Sequence, residues 1–150
     1  LFILVTQMLE QNAANEKISV DDLIAISRVY WDMGSIDTSV CILHSTLKRI
    51  RGREQTAMAY SMLGTHYKKL GVLTQAVMCW KEAALHGDAN SAIELAMYYE
   101  HIVKDATTAL EWCTICTEIS GGAPLNANSR FNRELIKRIN RLQLKRSNNV

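Results

Sequence analysis

The feature that most constrains this chain is that it repeats itself. Three segments share one grammar: Leu23-Ile24-Ala25-Ile26-Ser27-Arg28-Val29-Tyr30 followed by Gly34, Tyr60-Ser61-Met62-Leu63-Gly64-Thr65-His66-Tyr67 followed by Gly71, and Ala92-Ile93-Glu94-Leu95-Ala96-Met97-Tyr98-Tyr99. The matching tyrosines, Tyr30, Tyr67 and Tyr99, lie 37 and 32 residues apart. A period of this size marks a fold of stacked units, each a supersecondary pair that cannot bury its apolar face alone. Val and Ile recur at helical spacing and no Asn-Gly or Asp-Gly hairpin signal competes, so every unit reads as a pair of helices.

Local punctuation divides the chain further. The pattern predicts helices near 1–13, 20–33, 36–50, 54–70, 73–86, 89–102, 105–119 and 126–146. Asp21, Asp88 and Asp105 stand where N-caps are needed, and Gly34, Gly71 and Gly87 where a helix must stop. Gly121-Gly122-Ala123-Pro124 reads as a linker, so residues 1–124 hold the repeats (20–50, 54–87 and 88–120) and residues 125–150 a final helix that packs on the last repeat. The third copy carries one extra residue around Val103-Lys104-Asp105, expected to sit in a loop.

In the middle copy Tyr60, Leu63-Gly64, Tyr67, Gly71, Ala76, Trp80 and Ala83 resemble the tetratricopeptide (TPR) pattern, with Tyr60 at the Trp position. The first copy has Ser27 and Ser39 at the small positions and Leu43 at the large one. The third has Ala96, Ala109 and Cys116 as small residues and Trp112 as the large one. Small residues let paired helices cross closely, and large ones fill the gaps between pairs. The resemblance implies a right-handed α-solenoid of about three helix pairs with a leading helix and a basic closing helix. If residues 1–13 are half of a truncated pair, Leu1, Leu4, Val5, Met8 and Leu9 would pack on the first complete repeat.

A narrower resemblance runs from Lys69-Leu70-Gly71 through Ala76-Val77-Met78-Cys79-Trp80-Lys81-Glu82-Ala83-Ala84 to Gly87-Asp88. It continues through Glu94-Leu95-Ala96-Met97-Tyr98-Tyr99-Glu100-His101, Lys104-Asp105 and Ala109-Leu110-Glu111-Trp112. This resembles the C-terminal TPR region of bacterial proteins that carry a ribonuclease-H-like predicted exonuclease domain at the N-terminus. The resemblance implies a bacterial, cytoplasmic protein and a link to nucleic-acid processing. The acidic metal-binding residues of that family belong to its other domain, and no matching cluster occurs here.

Composition narrows the function classes. The chain is 48% apolar and 21% charged with a single proline, which argues against disorder. The apolar start Leu1-Phe2-Ile3-Leu4-Val5 is broken by Thr6, Gln7 and Glu10, well short of the roughly 20 residues of a spanning helix, and reads neither as a membrane segment nor as a secretory signal. A start at Leu rather than Met points to a piece of a longer protein. Cys41, Cys79, Cys113 and Cys116 fall within helical segments, a poor layout for a disulfide framework, so a reducing compartment is expected. A zinc or redox site at Cys79, Cys113 and Cys116, with His86 and His101 near in sequence, is weighed against core packing. Packing is preferred because the Cys-x-x-Cys pair replaces small core residues of a helix. No nucleophile elbow, phosphate-cradling glycine loop or His-Glu-x-x-His is present; Ser45 beside His44 and Ser61 before His66 make no triad, and catalysis is not expected. No cofactor is implied.

Two surfaces remain as binding candidates. In the TPR register the concave side of the first helices presents Asp21, Ile24, Arg28, Trp31 and Asp32, then Met58, Ser61, Thr65, Lys68 and Lys69, then Asn90, Ile93, Met97, Glu100 and His101. Arg28, Trp31, Thr65, Lys68, Met97, Glu100 and His101 are the preferred partner contacts, for an extended peptide or a helix of a protein partner. Ile24 and Arg28 stand where a chaperone-tail clamp would carry Lys and Asn. Glu100 has two further readings, as a helix end and as an i,i+4 partner of Lys104.

The second surface is basic. Residues 125–150 hold seven Lys/Arg against one Glu, a net +6 that leaves the first 124 residues at −4. Leu135, Ile136, Ile139, Leu142 and Phe131 form an apolar stripe on the last helix, with Arg130, Arg133, Lys137, Arg138, Arg141, Lys145 and Arg146 around the rest. This helix reads as a cap on the open end of the stack, or, together with Lys68-Lys69, as a stripe for nucleic-acid phosphates. The lack of interleaved aromatics favours the cap.

Overall fold

The structure, a computed structural model, describes residues 7, 18–121 and 129–147. Among the described residues from Val20 onward seven α-helices follow one another: α1 (Val20–Asp32), α2 (Ile36–Leu47), α3 (Arg53–Lys69), α4 (Leu73–Leu85), α5 (Ala89–Tyr98), α6 (Ala106–Ile119) and α7 (Arg130–Ser147). They pack as consecutive pairs, α1 on α2, α3 on α4 and α5 on α6, with α7 against α6. The described residues form no strand. The expected helix over 1–13 and most of the 121–124 linker lie outside the described residues.

The caps explain where the helices begin. Asp88 accepts from the Ser91 amide, and Asp105 from the amides of Thr107 and Thr108. Asp21 does not cap. Ser19, two residues earlier, accepts from the Asp22 amide, while Asp21 takes a 2.7 Å hydrogen bond from Gln55 of α3. The hydroxyl fits the extended residue just before the helix, which leaves both aspartates in the first turn, where they favour its positive end. At the other end, helix α2 stops at Leu47, short of the expected residue 50.

The repeat is visible in the backbone at its tyrosines. Ser35 N donates to Tyr30 O, and Val72 N to Tyr67 O, both at 2.9 Å, each five residues along and each closing over a glycine with φ near +79° or +78°. In the third copy Asp105 N reaches Tyr99 O, six residues along. The extra residue therefore does not enlarge a loop. It is wound into a π-helical turn, Tyr99–Val103, and Lys104 takes the left-handed conformation, φ 65°, that glycine holds in the other copies.

Two apolar clusters run through the stack. One joins the first two pairs with Ile24, Leu43, Ile50, Ala59, Leu63 and Cys79. The other extends from Ala76 and Trp80 through Leu95, Ala109, Cys113 and Cys116 to Leu135 and Leu142 of α7. Tyr67 packs against both, so the core is continuous between repeats. Gly64 lies directly against the Trp80 indole, and a Cβ there would overlap the ring. Leu135 and Leu142 are fully buried, worth about 1.5–3 kcal/mol each. That burial seats α7 on the stack.

Candidate functional site

The residues expected on a concave side divide into three groups. Arg28, Trp31 and Thr65 come together with Asp32, Ser61, Met62 and His66 around a cavity of about 300 Å³. This cavity shares Arg28, Ser61 and Met62 with a neighbouring one of about 540 Å³ that reaches Arg53, Met58, His86 and Asp88. Together they make a trough along α1 and α3 that runs to the start of α5. Lys68, Met97 and His101 line a separate, mostly apolar depression of about 180 Å³ with Leu73, Trp80, Tyr98 and Ile102. Lys68 pairs there with Glu94 at 2.7 Å and lies 5.6 Å from the centre of the Trp80 ring.

Glu100 belongs to neither. It is 4% exposed and turns toward α7, a correction to its expected place in the groove. The π turn moves its side chain out of α-helical register. Ile24, also expected in the groove, is 3% exposed and packs in the core with Leu43 and Leu63.

The trough has an aromatic floor. The Trp31 indole stacks on the His66 imidazole, with ring centres 4.1 Å apart and planes 16° from parallel. His66 is buried, and its Nε2 lies 2.7 Å from Ser39 Oγ. Ser39 Oγ spends its one proton on Ser27 O, so Nε2 carries a proton and donates to it. Nδ1 is then an acceptor, and it has no partner. Burial pushes the His66 pKa down to about 4, which keeps the ring neutral at pH 7. Sequence reasoning weighed His66 only against Ser61. The available signal was polarity at a core position: Ser39, at a small site of the first copy, carries the hydroxyl that meets this imidazole.

Arg28 is exposed in the same trough. Its Nη2 leans on the Met58 sulfur at 3.2 Å, and among the described residues it makes no ion pair. Arg53, by contrast, caps α4, donating to the carbonyls of His86 and Leu85 at 3.1 and 3.4 Å. Ser61 is held by Asp88 at 2.9 Å.

At the far end of the stack α7 brings its cations onto Glu100. Arg138 Nη1 donates to Oε2 at 2.7 Å and Lys145 Nζ to Oε1 at 3.0 Å. Arg141 donates from Nε to Oε1 and from Nη2 to Oε2, both at 2.8 Å. His101 Nε2 lies 3.6 Å away. Burial pushes the Glu100 pKa up, but the hydrogen bonds and charges of Arg141 and Lys145 outweigh it and hold the group at about 2. The Glu100 carboxylate thus pairs with α7 rather than with Lys104. Arg138, expected on an open stripe, keeps only 18% of its side chain exposed, whereas Arg130, Arg133 and Lys137 lie on the exposed side.

Three of the four cysteines sit in the two apolar clusters, Cys113 and Cys116 in one and Cys79 in the other, while Cys41 is half-buried. Burial pushes each of the three clustered thiols up to about 11, away from the thiolate that metal binding or nucleophilic attack needs. Among the described residues no group of three or more His, Cys, Asp or Glu converges as a metal site, and no helix is long and apolar enough to cross a membrane. A scan against protein-family models gives no match, and a search of curated proteins finds no relative.

Proposed function

We propose that this chain is a non-catalytic TPR-type scaffold, a right-handed helical stack that receives a segment of a protein partner along the α1–α3 trough. The observation that carries the reading is Arg28. Its guanidinium leans on the Met58 thioether in a trough that Asp32 and Asp88 also line without pairing with it, in company with Trp31 and a buried imidazole whose Nδ1 lacks a partner. Trp and Arg are the residue types that dominate interface hot spots, and an unmatched guanidinium selects a carboxylate. The partner segment thus brings an acidic side chain to Arg28, an apolar one to Trp31 and backbone groups to Ser61 and Thr65. The resemblance in sequence, carried most specifically by Tyr98-Tyr99-Glu100-His101, supports placing the module beside a nuclease domain of a bacterial cytoplasmic protein.

Selection from a displayed library of random peptides tests this. Peptides enriched on the native chain should share an acidic residue next to an apolar one, and should lose about tenfold or more in affinity on Arg28→Ala and on Trp31→Ala. Failure to enrich any peptide, or binding indifferent to both substitutions, would contradict the reading.

A further inference from the structure

Glu100 neutralises only part of what surrounds it. Arg138, Arg141 and Lys145 contribute three positive charges to one buried carboxylate, and no other carboxylate of the described residues lies within ion-pair distance of them. The cluster keeps a surplus of two charges. The donors on Glu100 are also only a part of those available. Arg141 commits Nε and one Nη2 proton, and Lys145 one of three protons, while both side chains stay about half exposed, at 47% and 48%. A carboxylate that fixes an arginine from below removes the rotamer entropy that an anion arriving from solvent would otherwise have to offset.

We infer that the exposed side of α7 is a binding site for the phosphate backbone of a nucleic acid, with Arg141 and Lys145 as its fixed donors and Glu100 as the group that positions them. The spacing favours a polymer over a single phosphate. Arg133, Lys137, Arg141 and Lys145 follow one another at four-residue steps, about 6 Å of rise each, in a stripe that drifts slowly around the helix. Such a row presents charge repeatedly along a line, as a nucleic-acid backbone does, whereas a phosphopeptide offers one dianion. Glu134 faces Lys137 at 3.3 Å, but both side chains are mostly exposed and the pair is weak. No aromatic interrupts the stripe, so it reads backbone and not base. This site goes beyond the peptide trough, lies at the other end of the stack and stands or falls separately.

The test is anisotropy of a fluorescein-labelled 12-nucleotide oligo(dT) and its oligo(U) counterpart, titrated with the full chain at 20 and 150 mM salt. Binding should weaken with salt. In Arg141→Gln/Lys145→Gln it should fall about tenfold, with the slope of log affinity on log salt shallower by about 1.4. A pair with equal charge loss elsewhere, Lys48→Gln/Arg51→Gln, should stay within about twofold. Lysine acetylation of the native protein gives a readout that does not depend on the variant folding: the oligonucleotide should protect Lys145 and Lys137 and leave Lys48 reactive. Absence of oligonucleotide binding at 20 mM salt, equal losses in both double variants, or binding of inorganic phosphate or a phosphoserine peptide in place of the oligonucleotide would overturn the proposal.

Discussion

Arg141 closes on Glu100 with two parallel hydrogen bonds of 2.8 Å across 41 residues of sequence, a polar fork that adds to the burial of Leu135 and Leu142 in holding the last helix on the repeat before it. Glu100 lies within the π turn, Tyr99–Val103, that follows α5. Replacing it with Gln keeps the shape and removes the charge that three cations share. Glu100→Gln should cost about 2 kcal/mol, since Arg138 is left largely desolvated without its acceptor while Arg141 and Lys145 rehydrate. Chemical denaturation measures the loss, and amide exchange should place it first in α7.

The same carboxylate sets an acid limit. Its folded pKa of about 2 lies below the unfolded value of 4.5, so its contribution is present above pH 4.5 and is lost as pH falls toward 2. Native protein should lose stability across that window more steeply than Glu100→Gln, as followed by denaturant midpoints at successive pH values.

His66 acts earlier in an acid titration. Its folded pKa of about 4 lies below the ordinary 6.5, so between those values the unfolded chain binds a proton that the folded one refuses. Stability should fall as pH drops from 6.5 toward 4, with a slope approaching about 1.4 kcal/mol per pH unit from this group. His44, also lowered by burial and by Lys48, adds in the same direction. His66→Gln can still donate to Ser39 but does not titrate, and its pH profile should be flatter across this window.

Gly64 and Trp80 are a matched pair. Alanine is the better helix former by about 1 kcal/mol, yet Gly64→Ala should destabilise by about 1–3 kcal/mol because its methyl overlaps the indole. Adding Trp80→Phe should recover part of that loss. Full additivity in a double-mutant cycle of thermal unfolding would refute the contact.

Lys104 holds φ 65° at the end of the π turn, where the other copies use glycine. Lys104→Gly should therefore stabilise the chain by about 1 kcal/mol, or about 3 °C in melting temperature.

The pairing of helices was legible because the small and large positions recur in register, and Gly64 and Trp80 meet as that pattern requires. Gly34 and Gly71 could be placed from sequence because a left-handed turn admits few other residues. The π turn could be counted but not located: an insertion is visible in spacing, while its shape depends on what Glu100 can reach. For the same reason Glu100 was expected in the groove. A carboxylate's direction is set by cations 38 to 45 residues away, which no local pattern reports. His66 was weighed only against its sequence neighbour Ser61, because its actual partner, Ser39, lies 27 residues away on another helix.

The proposed partner segment lies in the trough at Arg28 and Trp31. The most direct test of this placement is a titration of isotope-labelled protein with a library-selected acidic peptide, followed through the indole N–H signals of Trp31, Trp80 and Trp112. The account predicts saturable movement of the Trp31 indole and of the Arg28 and Thr65 amides, with Trp112 unmoved. Movement confined to α7 or to Trp112, or saturation without change at Trp31, would contradict it.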